Sequence, residues 1–318
     1  MKKTFIALII ALLAVNPLAA QETPAIEEIR AQPAAEKPSV VLPVNLYDTF
    51  QWNEKYHYGI RAWMYAFGPG FVAALGILEW NWFDKNAYNY NPSRVCGADA
   101  LNGMADKMGH LYATYTVKRL STFLYRATGS SPFRANVEGT VYASALQFLM
   151  EVGDGFSSAQ GFDIYDVVFN QIGAGVGFVL DAVPALDRMF ALQWEYIPTR
   201  RMRKNLSNLD STGDPFTDYS GMKFLFVTKL GGVPYLSRTP LRYVNLDFGY
   251  YARGYYNKYY DYSTRNLYAG ISVNYSIVFG DILPTGYTSS TLQSFFNYIH
   301  PPFDLEVKEW ELSKVPRE

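Results

Sequence analysis

Residues 267–279 read LYAGISVNYSIVF, and the fold class turns on that stretch. Leu267, Ala269, Ile271, Val273, Tyr275, Ile277 and Phe279 alternate with Tyr268, Gly270, Ser272, Asn274, Ser276 and Val278. A period of two sets the first group on one side of an extended strand, an arrangement that no helix face can bury. Val244, Leu246, Phe248 and Tyr250 alternate in the same way with Asn245, Asp247 and Gly249. Residues 190–197 and 222–228 add two more strand-like runs, and 305–312 a weaker one. The turn-rich pieces 206–218 and 257–265 lie between them, so antiparallel hairpins are the expected connection.

Upstream of residue 190 the period becomes helical. Residues 59–82 form one apolar stretch, which Gly68-Pro69-Gly70 is expected to kink or divide, and Arg61 and Glu79 near its ends speak against a membrane span. Residues 98–127, 136–152 and 164–183 are each long enough for a packed helix, with a break at Thr128-Gly129-Ser130-Ser131-Pro132. The expected class is α+β: an N-terminal helical bundle of four to five helices, then a small antiparallel Tyr-rich β-sheet. The expected divisions are a helical region over 46–189 and an antiparallel β region with a C-terminal tail over 190–318.

The N-terminus reads as an export signal. Lys2 and Lys3 precede an apolar core at 5–15, and Pro17-Leu18-Ala19-Ala20 offers a cleavage site after Ala20. Residues 1–20 are thus an expected signal peptide, and the Pro-, Ala- and Glu-rich 21–45 a flexible linker. The core is too short for a membrane span. Cys96 is the only cysteine, so neither an intrachain disulfide nor a lipidated cysteine after the signal is expected. These features fit the periplasm or outer membrane of a Gram-negative bacterium.

Composition narrows the function further. Of 318 residues 49% are hydrophobic and 17% aromatic, with 26 Tyr, and the net charge is −1. Such a chain has ample apolar material to fold, and it has no overall basic field to gather phosphates. The one dense basic run is Arg200, Arg201, Arg203 and Lys204, so no nucleic-acid partner is expected. No G-x-S-x-G elbow, H-E-x-x-H, Walker or dinucleotide pattern occurs, which removes support for the common hydrolases, zinc proteases and nucleotide binders.

Polar groups interrupt the apolar helical half at regular spacing. Asp106 and His110 stand one turn apart on a helix face, Glu151 and Asp154 lie three apart, and Asp166 and Asn170 four apart. Unpaired charge in such surroundings is expensive, so the groups are expected to meet. Two readings stay open. In one, His110 is a general base or metal ligand, oriented by Asp106 or Asp166, with Glu151 and Asp154 as acid or second ligand and Lys107 and Asn170 in binding roles. In the other, the same residues form a satisfied network that fixes helix register, with Gly173 and Gly177 allowing close approach. No cofactor is expected beyond a divalent metal in the first reading. His57 and His300 read as surface or interfacial residues rather than ligands.

The series D-K-x-x-H at 106–110, E-x-x-D-G-F-S at 151–157 and D-x-x-x-N-x-x-G-x-x-x-G at 166–177 resembles the YfiM-like family of bacterial envelope proteins and, more distantly, the helical VanZ-like membrane family. The resemblance covers residues 83–186, with a weaker continuation at Asp218-Tyr219-Ser220-Gly221. It implies an envelope location and a helical core, and no particular reaction.

The first functional expectation is therefore a non-enzymatic outer-membrane or periplasmic protein. Its Tyr-rich sheet would meet a membrane or an envelope partner, since Tyr joins an apolar body to a polar tip. Four or five strands are too few for a lipid-spanning barrel, which needs about eight, so the sheet is expected to pack on the helices or lie against a membrane. The alternative is an envelope hydrolase or transferase acting on a lipid or isoprenoid-linked substrate through His110, Glu151, Asp154 and Asp166. A third reading is an integral helical membrane protein, which the short, kinked apolar runs disfavour.

Overall fold

A computed structural model describes residues 54–316 except 85, 86, 94, 96–99, 159, 208–214, 256–259, 285 and 286. The expected signal peptide, its cleavage at Ala20, the linker, and Cys96, Tyr256 and Tyr259 lie outside the described residues. Helices α1 (His57–Leu78), α2 (Ala105–Ala127), α3 (Pro132–Asp154), α4 (Ile164–Ala182) and α5 (Pro184–Met189) precede strand β1 (Phe190–Tyr196). Helix α6 (Arg200–Ser207) separates β1 from β2 (Met222–Lys229), and β3 (Val244–Arg253) and β4 (Tyr262–Val273) follow. Helices α7 (Tyr275–Ile282) and α8 (Tyr287–Tyr298) come before β5 (Leu305–Pro316). The strands form one antiparallel sheet in the order β1-β2-β3-β4-β5, so the class is α+β.

Local chemistry sets the helix ends. Pro132 opens α3 at a position where its missing N–H costs nothing. Asp163 caps α4 by accepting the Tyr165 N–H at 2.9 Å. Helix α1 runs unbroken through Pro69, where the sequence suggests a kink or a division. It is long and apolar enough to cross a membrane by length and composition. Central among the helices is α2, in contact with both α3 and α4. Gly173 lets α4 approach it, because a Cβ there would stand 2.1 Å from the Leu111 carbonyl oxygen.

The alternating stretch is split at Asn274. Strand β4 ends at Val273, and the Asn274 side chain accepts the Ile277 N–H at 3.3 Å, capping α7. Tyr275, Ile277 and Phe279 are therefore helical, not the end of a strand. At the other end β4 begins at Tyr262, so residues 262–265 are strand where a turn is expected. Strand β5 continues to Pro316, beyond Leu312, where the strand-like run in the sequence ends.

The two faces of the sheet differ in composition. Registered pairs carry Gln193 and Glu195 of β1, Lys223 of β2, Asn245 and Asp247 of β3 and Asn266 and Tyr268 of β4 on one face, together with the apolar Ala191, Leu225, Val227 and Tyr251. That face is inside: Glu195 is 2% exposed, Asp247 3% and Tyr268 0%. The opposite face packs on α2 at one end, where Met222, Phe224 and Ala252 join Ala105, Met108 and Tyr112. Its other end leaves Phe226, Leu246, Phe248 and Ile271 exposed, at 45%, 46%, 49% and 40%.

This inner face is concave. Lys223 on β2 reaches Glu306 on β5, and the Tyr251 hydroxyl on β3 donates to Glu309 on β5 at 2.7 Å. The chain between α8 and β5 lies along the free edge of β1, with the His300 N–H donating to the Trp194 carbonyl at 2.9 Å. This corrects the placing of His300 at the surface. It is 3% exposed, and burial pushes its imidazole down to about 4.

Candidate functional site: a buried lysine, histidine and carboxylate network

Three helices deliver the polar groups to one place. Helix α2 presents Asp106, Lys107 and His110 within about one turn, α3 ends with Glu151 and Asp154, and α4 begins with its cap Asp163 and then Asp166 and Asn170. Lys107 Nζ lies 2.6 Å from Asp166 Oδ1, 2.8 Å from Asp163 Oδ2 and 3.1 Å from Asp106 Oδ2. His110 fills the space beside it. Its Nδ1 is 3.2 Å from Glu151 Oε1, and its Nε2 is 3.6 Å from Asp166 Oδ1 and 3.8 Å from Asp106 Oδ1. Thr114 donates to Asn170 Oδ1 at 2.8 Å, and Asn170 Nδ2 donates to Glu151 Oε1 at 3.4 Å.

Asp106, Lys107, His110, Glu151, Asp166 and Asn170 thus meet as the spacing suggests. Asp154 turns aside and accepts the Trp82 indole N–H at 2.6 Å. Four participants escaped the sequence reading. Asp163 looks like a cap and nothing more, Trp82 and Thr114 are ordinary core residues by type, and Tyr219, whose hydroxyl donates to Asp106, comes from 113 residues away. A second layer was also missed: Lys118 pairs with Asp181 and Asn136, and Arg119 with Asp187 at 2.7 Å. The signal for it was Lys118 itself, three turns beyond Lys107 on the same face of α2.

Protonation follows from burial and neighbours. Burial opposes charge on His110, but Asp166, Glu151 and Asp106 outweigh it and raise the imidazole to about 9. Burial raises Glu151 to about 8 even against the pull of His110, and with Asp106 it raises Asp166 to about 7. Asp154 rises to about 6 through burial. Asp106 goes the other way: burial is outweighed by His110, Lys107 and the Tyr219 bond, and its carboxyl is held low. Lys107 rises because Asp106 and Asp166 outweigh its burial.

The neighbouring carboxylates thus favour the protonated form of His110. Asp106, His110 and Asp166 offer three metal donors within 4.8 Å of one another. However, the Asp166 oxygen facing His110 is the one Lys107 approaches to 2.6 Å, so an ammonium stands where a metal ion would find its negative charge. The arrangement supplies its own cations.

No curated protein and no solved structure matches the chain. Residues 96–182, the stretch that holds Asp106, Lys107, His110, Glu151, Asp154, Asp163, Asp166 and Asn170, match a family described as predicted periplasmic lipoprotein (DUF2279).

Proposed function

We propose that the chain is an exported, non-enzymatic envelope protein that rests against a membrane through its apolar outer surface. Its helical bundle is held in register by the Lys107 and His110 network. The observation that carries this reading is the apolar outer face of the sheet, left open away from α2 while the inner face buries polar and apolar side chains together. A sheet of a water-soluble fold turns its apolar face to the core and its polar face to solvent. Here Phe226, Leu246, Phe248 and Ile271 face outward while Glu195, Asp247 and Asn266 are buried. The helices support the same reading, since Val137, Val141 and Phe148 of α3 and Val168, Ile172 and Val179 of α4 are exposed. Apolar surface on this scale marks a membrane or interaction face. Tyr243 and Tyr262, exposed at the starts of β3 and β4, suit the interfacial zone. The match to a predicted periplasmic lipoprotein family supports the envelope, and the outer membrane is the surface we favour.

The test is flotation of the purified full chain with vesicles of phosphatidylethanolamine and phosphatidylglycerol. Co-flotation that survives high salt is expected, and Phe226→Lys with Phe248→Lys should reduce it at least fivefold with the circular dichroism spectrum unchanged. A chain released by osmotic shock without detergent, which remains monomeric and ignores vesicles, would refute the membrane reading.

A further inference from the structure

A second cluster of titratable groups lies on the concave face of the sheet, apart from the Lys107 and His110 network. We propose that Glu195, His300 and Asp304 form a binding site for one divalent transition-metal ion. They come from β1 and from the segment leading into β5. One donor atom from each, a ring nitrogen and two carboxylate oxygens, lies within 4.8 Å of the others.

The tautomer of His300 is set by a chain of hydrogen bonds. Gln193 Nε2 donates to the Phe296 carbonyl at 2.9 Å, which turns Gln193 Oε1 toward the imidazole. That oxygen can only accept, and it lies 2.8 Å from His300 Nδ1, so the ring proton sits on Nδ1. His300 Nε2 is left with its lone pair, buried and without a hydrogen-bond partner. An outer group that accepts from the far nitrogen is the usual means of orienting a metal-binding histidine. Glu195 Oε2 and Asp304 Oδ2 are also buried and unpartnered. Leaving such groups buried and unpaired is costly, the more so where they carry charge.

Lys223 does not relieve them. Its ammonium is engaged with Glu306 at 2.5 Å and stands 3.5 Å from Glu195 Oε1 and 3.9 Å from Asp304 Oδ1, on the other oxygen of each carboxylate. One imidazole and two carboxylates suit Zn²⁺, Mn²⁺ or Fe²⁺ rather than Ca²⁺ or Mg²⁺, which prefer all-oxygen sites. Bonds of about 2.0–2.2 Å set neighbouring donors roughly 3–3.6 Å apart, so a spread within 4.8 Å leaves at most about 2 Å to close. The bound ion would tie the segment before β5 to β1 and keep a coordination position for water.

The experiment titrates the EDTA-stripped full chain with Zn²⁺ and Co²⁺, counting bound metal by mass spectrometry. One equivalent is expected. Glu195→Gln and Asp304→Asn, both near-isosteric, should each weaken binding at least tenfold, and Gln193→Leu about 10–100-fold through loss of ring orientation. His110→Gln should bind as the wild type does. Nitrogen-15 NMR of the unsubstituted chain adds a readout that needs no variant, because Zn²⁺ should shift Nε2 of His300 and leave His57 and His110 unmoved. Absence of stoichiometric binding, unchanged affinity in Glu195→Gln and Asp304→Asn, or loss confined to His110→Gln would each overturn the proposal.

Discussion

Lys223 on β2 and Glu306 on β5 meet at 2.5 Å, although β3 and β4 stand between their strands. Three strand spacings amount to about 14 Å in a flat sheet, farther than the two side chains span together, so the sheet must curl with the Lys223 face inward. The pair is a consequence of that curl and also a clamp on it. Lys223→Met should lower the free energy of unfolding by about 1–3 kcal/mol, less than the loss of a fully buried pair because Glu306 is partly open to solvent. Adding Glu306→Leu should recover most of the loss. Denaturant titration of the single and double variants measures both; an equal or greater loss in the double variant would mean that the charge pair is not what closes the sheet.

Ile172 and Gly173 are neighbours on α4 with opposite environments. Ile172 is 45% exposed, whereas a Cβ at Gly173 would meet the Leu111 carbonyl of α2. Ile172→Lys should change stability by no more than about 0.5 kcal/mol, as surface substitutions do, yet reduce vesicle binding. Gly173→Ala should force α4 away from α2 and cost roughly 2 kcal/mol or more by overpacking. Thermal unfolding of the pair, compared with flotation, separates the outward role of one position from the inward role of the next.

Lys107 is the cation on which three carboxylates converge. Lys107→Met keeps the length of the stem and removes the charge that Asp106, Asp163 and Asp166 share, leaving His110 to face Asp106 and Asp166. The expected loss is about 3–5 kcal/mol, read by chemical denaturation, with partial recovery when Asp166→Asn is added. A fully stable Lys107→Met variant would show that the carboxylates are neutralised by other means.

The legible parts of this molecule are the ones that depend on neighbours in sequence. Asp106 and His110 share a face of α2 because four residues make about one turn, so their meeting with groups on α3 and α4 could be anticipated. Tyr219 and Trp82 could not, since nothing in their own surroundings points to Asp106 or Asp154. Alternation located β3 and β4 but is silent on which set is inside. Asp247 and Phe248 occupy opposite faces under either polarity, and it is the curl of the sheet that buries the aspartate. Helix α7 was lost because Tyr275, Ile277 and Phe279 satisfy a period of two over a run too short to distinguish it from a helix. Only the Asn274 side chain, bonded to the Ile277 N–H, decides.

The protonation of the network sets a direction for stability against pH. His110 rises from 6.5 to about 9, Glu151 from 4.5 to about 8 and Asp166 from 3.8 to about 7. All three bind protons more tightly folded than unfolded, so their contribution is full at low pH and is lost as pH rises through those folded values. Other buried groups act elsewhere. His300, lowered to about 4, favours folding as pH rises only up to about 6.5, and Lys118 and Lys229, both lowered to about 8, do so only above that value. Between pH 6.5 and 8 the network acts with least opposition, and stability should fall by on the order of 1–3 kcal/mol. Glu151→Gln cannot ionise and should flatten the slope, and His110→Gln should do the same at some cost in stability at pH 6.5. Thermal midpoints measured at several pH values across this window check the sign; a midpoint that rises toward pH 8 in the unsubstituted chain would rule out a protonated His110 and Glu151 in the folded core.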